Sequence, residues 1–164
     1  MWLSVSATTR PPRPGEIEGT HYYFIDAERF EELKRTGGLI EWAEVHGNCY
    51  GTPRGPVEAQ LEHGVDVVLE IDPQGAAQVK RAMPDSVLVF VTAPSMEELR
   101  RRLEGRGSET KEQVERRLRT AEAELLVAGT YDFVIQNDDM RRATDELVHI
   151  IESDAARGAD SKEA

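Results

Sequence analysis

The alternation of apolar and polar positions cuts the 164-residue chain into short strands and amphipathic helices. Residues 2–6 alternate weakly and predict a strand. Residues 16–25 follow a turn, carry β-branched and aromatic side chains, and predict a second. Asp26 stands where it can cap a helix over 27–35, with Phe30 and Leu33 inward and Gly37-Gly38 as the stop. Residues 39–46 read as a strand closed by a Gly47-Asn48 turn. Thr52-Pro53 reads as an N-cap with proline at the first helical position, opening a helix that ends at Gly64.

Residues 65–72 are a nearly continuous apolar run, the pattern of a buried parallel strand, with Glu70 and Asp72 at its carboxyl end. A helix over 73–82 and an apolar strand over 87–91 follow. Ser95-x-x-Glu98 and Thr110-x-x-Gln113 are two capping boxes. The first opens a helix to Glu104, and the second a helix in which Val114, Leu118, Ala121 and Leu125 share a face. Residues 132–135 predict a short strand, and 140–152 a final helix with Ala143, Leu147, Ile150 and Ile151 inward. Residues 154–164 are small, polar and charged, and predict a disordered tail. Apolar strands alternating with helices imply an α/β fold with a parallel sheet. Residues 7–55 break that rhythm and predict an inserted mixed β/α subdomain. Ligands of such sheets bind beyond the carboxyl ends of the strands.

Composition narrows the partner. One domain is expected at this length, and 39% apolar residues suffice for a core. A net charge of −11 argues against a general nucleic-acid or membrane-surface binder. Positive charge is nevertheless concentrated, with seven arginines between positions 100 and 119 and two more at 10 and 13. A basic site on an acidic body suits a small anionic ligand. The single Cys49 excludes an internal disulfide, and Cys49, His21, His46, His63 and His149 show no metal-ligand spacing. No apolar run is long enough for a transmembrane helix and no signal-peptide pattern opens the chain, so the expected compartment is the cytoplasm.

The strongest chemical signal is at the start. Arg10 and Arg13 stand on a turn stiffened by Pro11, Pro12 and Pro14. Guanidinium forks donate in pairs to phosphate oxygens. The run from Ser4 to Glu16 is similar to the signature of guanylate kinases. So are Glu41-Trp42-Ala43-Glu44, Gly47 to Thr52, Leu69 to Gly75, Arg102 to Gly107 and Asn137-Asp138-Asp139, in the family's order and over residues 2–153. The resemblance implies a P-loop-kinase-like parallel sheet flanked by helices, with residues 7–55 as the GMP-binding subdomain and 100–118 as a small helical lid. It implies transfer of the γ-phosphate of ATP to GMP, giving ADP and GDP, in purine nucleotide metabolism, with Mg²⁺ as cofactor and neither nucleic acid nor membrane as partner.

It also implies roles. Arg10, Arg13, Tyr22 and Tyr50 match the residues that hold the GMP phosphate, with Glu16 in the same signature. Glu41, Asp72, Ser6 and Thr52 match the guanine readers. Guanine presents N1–H and the N2 amino group, both donors, to which carboxylates are complementary, whereas adenine presents a bare acceptor at N1. On pattern alone Glu41 is an ordinary strand carboxylate. Glu70 and Asp72 match carboxylates near Mg²⁺ and its waters. Many relatives carry Asp where this chain has Glu70. Arg102 and Arg106 match lid arginines that close on the ATP phosphates, and Arg117 one that reaches between the nucleotides. Asn137 and Asp138 match the loop near adenine.

The family's pattern begins with a strand, a glycine-rich phosphate loop and a helix, and no G-x-x-x-x-G-K-[ST] motif occurs in these 164 residues. The expectation is an N-terminally incomplete guanylate kinase, inactive as it stands. Two alternatives stay open: a non-catalytic relative that binds GMP, a phosphopeptide or a protein, and a different acceptor kinase completed by a partner chain.

Overall fold

The computed structural model describes residues 1–45, 47–105 and 110–160, the stretch from 154 by its backbone alone. The chain forms two compact units, Met1–Ser86 and Val87–Ala164.

In the first unit the strand expected over 2–6 shortens to its first half, and a separate strand in another sheet follows it. β1 (Trp2–Leu3) pairs in parallel with β6 (Val67–Val68), and β2 (Ala7–Thr8) enters a mixed four-stranded sheet. The backbone stays bonded through the step: Ser4 N–H reaches Val68 O at 3.0 Å, and Ser6 O accepts from Tyr23 N–H at 2.9 Å. Ser6 therefore stands at the crossing from one sheet to the other. The mixed sheet has the order β3-β2-β5-β4, with β3 (Tyr23–Phe24), β4 (Leu39–Val45) and β5 (Asn48–Pro53). β2 runs parallel to β3 and antiparallel to β5, which is antiparallel to β4. The long strand expected over 16–25 shrinks to β3, because only Tyr23 and Phe24 find a ladder partner, in β2.

α1 (Ala27–Thr36) matches its expected signals. Asp26 Oδ1 accepts from Arg29 N–H at 2.7 Å, Phe30 is fully buried, and Gly37 ends the helix at φ 71°, a left-handed conformation that disfavours a side chain. α2 (Arg54–Glu62) corrects the reading of Thr52 as its cap. Thr52 stays inside β5, buried, and its hydroxyl goes to Glu41; Pro53 takes the cap position. The ladder to β4 outcompetes the local cap.

The apolar run at 65–72 is also shorter as a strand than expected and half-buried rather than buried. Among the described residues it pairs only with the two-residue β1. Asp72 consequently begins α3 (Pro73–Ala82) instead of ending a strand. Ile40, Val57 and Val79 form the core here, joined by Trp2, Val67, Leu69, Ile71 and Met83.

In the second unit β7 (Val89–Thr92) and β8 (Phe133–Gln136) are parallel in continuous register from Val89↔Phe133 to Thr92↔Gln136. Ile135, Ala143 and Ile150 pack beneath them, and Leu103, Val114 and Leu118 join α4 (Met96–Gly105) to α5 (Lys111–Leu125). Thr110 and Gln113 make the full capping box. At Ser95 only half of the expected box forms: Ser95 Oγ accepts from Glu98 N–H at 3.1 Å, while the Glu98 carboxylate turns to Arg101 and Arg102. Leu125, expected inward, is exposed at the last turn of α5. α6 (Met140–Asp160) runs past the expected end at 152 and through most of the segment read as a disordered tail. Once packed turns have nucleated a helix, each further residue adds a hydrogen bond at little cost.

Candidate functional site

The turn after β2 is built around one carboxylate. Glu16 Oε1 and Oε2 take the Arg10 fork at 2.8 and 3.0 Å, and Oε2 also accepts from Arg13 N–H at 2.6 Å. Thr8 Oγ1 accepts from Arg10 N–H at 3.1 Å, fixing where the arginine leaves the strand. The guanidinium lies over Tyr22 at 5.5 Å and Phe24 at 5.9 Å from the ring centroids. Tyr50, from β5, meets Tyr22 edge-on at 6.1 Å. The Arg10 fork and the Arg13 N–H hold the Glu16 carboxyl at about 2, and Glu16 in turn raises Arg10, with Tyr50 as a further hydrogen-bond partner. Burial pushes the Tyr22 phenol up, which keeps it a neutral donor. The turn that proline spacing suggested is thus preorganised by Glu16, which the sequence signature placed among the GMP-binding residues. The Arg13 side chain is exposed.

The second cluster is buried. Glu41, on β4, is 4% exposed and accepts from Thr52 Oγ at 2.6 Å. β4 and β5 are adjacent antiparallel strands, so the ladder places both side chains on one face. Burial raises the Glu41 carboxyl above its ordinary range, and the nearby charge of Asp72 adds to this, against the Thr52 hydroxyl and backbone, which lower it. Asp72 is half-buried at the start of α3, where its Oδ1 accepts from Gly75 N–H at 2.8 Å. Its other oxygen has no hydrogen bond among the described residues. Glu70 is exposed, likewise without a hydrogen-bond partner among them, and its charge reaches the Tyr22 phenol.

In the second unit the structure brings two expected residues together. Arg102 Nη1 donates to Asn137 O at 2.9 Å, tying α4 to the loop after β8. Glu98 Oε1 accepts from Arg102 Nε at 2.7 Å, and the pull of Arg101 and Arg102 holds the Glu98 carboxyl at about 2. Asp138 pairs with Arg142, and Asp139 Oδ1 accepts from Arg142 N–H at 3.0 Å at the start of α6. Arg117 stands exposed on α5. Arg106 lies outside the described residues. A cleft of about 320 Å³ between α4 and α5 is lined by Met96, Glu97, Arg100, Glu115, Leu118 and Arg119, together with Glu122, and by none of the expected site residues.

Glu98 is a positioning group that the sequence reading missed. Its signal was the i, i+4 spacing to Arg102 on a helix, hidden by its second use as the closing residue of a capping box.

Comparison with known proteins agrees with this geometry. The guanylate kinase family model matches residues 1–154. The guanylate kinase of Synechococcus sp. is 52% identical over 147 residues, covering 90% of this chain and 77% of that protein. That of a Thermus thermophilus strain is 47% identical over 164 residues, covering 100% of this chain and 74% of that protein. The crystal structure of guanylate kinase from Anaplasma phagocytophilum superposes with a TM-score of 0.79 at 41% identity, over 93% of this chain and 75% of that one. With its parallel and mixed sheets flanked by helices, this chain belongs to the guanylate kinase family, the ATP:GMP phosphotransferases.

Proposed function

We propose that residues 7–55 hold GMP, with Asp72 completing the site, and that residues 100–118 act as the lid over ATP. The observation that carries the reading is the buried Glu41–Thr52 pair beside Asp72. A buried carboxyl group beside a half-buried one needs donors to satisfy it, and guanine's N1–H and N2 amino group supply donors of that kind. Thr52 and Ser6 offer hydroxyls to the same ring. AMP brings an acceptor where Glu41 needs a donor. A site whose own polar groups are left unpaired can reject the wrong ligand by roughly 10⁴-fold.

Arg10, Arg13, Tyr22 and Tyr50 bind the GMP phosphate. Glu16 fixes the Arg10 fork and, being a carboxylate, is itself excluded from the dianion. Arg102, Arg106 and Arg117 neutralise the phosphoryl group in transfer, where catalysis is mostly positioning and charge. Asn137 and Asp138 border the adenine, with Asn137 already tied to Arg102 through its carbonyl.

Glu70 and Asp72 suit Mg²⁺. Both are hard oxygen donors, and among the described residues no cluster of three or more His, Cys, Asp or Glu forms a cage. Magnesium is usually held by few carboxylates plus waters and substrate phosphates. When bound, it neutralises donor phosphate oxygens. Glu70 and the unpaired oxygen of Asp72 would hold its waters. No described helix is long and apolar enough to cross a membrane. With nucleotide substrates, we place the protein in the cytoplasm, in purine nucleotide metabolism.

Calorimetry with GMP and AMP tests the reading. GMP is expected to bind at least tenfold more tightly; equal affinities would overturn the assignment of Glu41 and Asp72.

A further inference from the structure

Gly75 touches both carboxylates of the guanine reader, and by opposite means. Its N–H donates to Asp72 Oδ1 at 2.8 Å. Its missing side chain leaves the space that Glu41 occupies: a Cβ at this position would overlap Glu41 Oε2 and stand 3.1 Å from Glu41 Cδ and 3.3 Å from Ile71 Cβ. The helix is therefore pressed against β4 at the point where Glu41 leaves it. One turn further along α3, Gln78 closes the same joint. Its Oε1 accepts from Trp42 N–H at 3.2 Å and its Nε2 donates to Trp42 O at 2.7 Å. β4 is an edge strand of its sheet, and the Gln78 amide pairs with Trp42 as a neighbouring strand would. Trp42 is the residue after Glu41. Ala76 and Val79, on the same helix, are buried.

We propose that Gly75 and Gln78 are positioning residues that set the spacing of Glu41 and Asp72, and through it the selectivity for a purine bearing a 2-amino group. This rests on the guanine reading above. Two acceptors can serve N1–H and the N2 amino group together only if they stand at the separation of those donors. A purine with N1–H but no amino group, as in IMP, needs only one of them. Loosening the α3–β4 joint therefore costs GMP more than IMP.

The test measures affinities for GMP, IMP and ribose 5-phosphate by calorimetry in the wild-type chain, G75A, Q78M and E41Q. G75A forces Glu41 aside. Q78M keeps the side chain's length but loses both bonds to Trp42. For both, the GMP-over-IMP preference is expected to fall at least tenfold while ribose 5-phosphate affinity stays within twofold, so that the phosphate end serves as the check on folding. Q78M is the milder change and carries the test if G75A fails to fold. If E41Q weakens GMP and IMP alike at least tenfold, and G75A or Q78M, folded by that check, keeps the GMP-over-IMP preference, the positioning role is overturned and the guanine reading stands. If E41Q leaves both affinities unchanged, the guanine reading falls and the inference with it.

Discussion

Glu41 and Glu16 stand in the same unit, and their surroundings push them in opposite directions. For Glu16 the folded value, about 2, lies below the ordinary 4.5. Its contribution to stability is therefore present above 4.5 and is lost as pH falls towards 2. E16Q is expected to lower stability at neutral pH, to flatten the acid-side loss in that window, and to weaken GMP binding, because Arg10 loses its fixed partner. Thermal melts across the acid range check the first two effects and calorimetry the third; an unchanged pH profile would show that Glu16 does not hold the Arg10 fork. For Glu41 the folded value is raised. The protonated form favours the fold, and that contribution disappears as pH rises through the folded value. Ionised Glu41 is thus a burden on the empty protein that, on the proposed reading, guanine's donors would relieve. E41Q is expected to leave the melting temperature unchanged or higher at neutral pH. It should also weaken GMP binding by about 10- to 100-fold, since a charge-assisted hydrogen bond contributes ~1.5–3 kcal/mol. A variant that melts lower and binds normally would contradict both halves.

Elements with local signals were legible and those that depend on a distant partner were not. Asp26, Gly37 and Thr110 act within one helical turn, and α1 and α5 appear where those residues put them. The break between β1 and β2, which sends them to different sheets, has no local signal, because β1 pairs with β6 more than sixty residues downstream and β2 with β3 and β5. Thr52 shows the conflict directly: the same hydroxyl fits a helix cap and a cross-strand bond, and only the position of Glu41 decides. Arg10 and Arg13 could be picked from proline spacing, whereas Glu41 needed the family signature and Glu98 needed the fold. A pair of substitutions separates a true cap from an apparent one. D26A is expected to cost about 1 kcal/mol, as helix caps do, and to lower the melting temperature. T52V keeps the β-branched shape in β5 and should leave α2 intact while weakening GMP binding through Glu41. Loss of helix content in T52V would restore Thr52 as the cap.

Across the whole molecule, charge and motif content lead to a conclusion that neither a residue nor an element gives. An acidic chain of net charge −11 concentrates nine of its sixteen arginines at positions 10 and 13 in one unit and between 100 and 119 in the other, the two regions proposed to handle anions. Among these 164 residues there is no G-x-x-x-x-G-K-[ST] loop to surround donor phosphates with backbone N–H groups. Removing one preorganised donor at a transition state typically costs about 10²–10³-fold, so a polypeptide of these residues alone is expected to bind GMP without measurable transfer. On the proposed roles, the remaining charged groups are those phosphoryl transfer would use: Arg10 and Arg13 on the acceptor, Glu70 and Asp72 for the metal's waters, and Arg102, Arg106 and Arg117 for the group in flight. The same chain carrying a strand, phosphate loop and helix of the family's pattern at its N-terminus is therefore expected to make ADP and GDP from ATP and GMP in a coupled assay. Normal turnover by the 164-residue polypeptide would show that the loop is dispensable and the mechanism wrong. An extended chain that folds, binds both nucleotides and stays silent would instead mark these residues as a GMP-binding module.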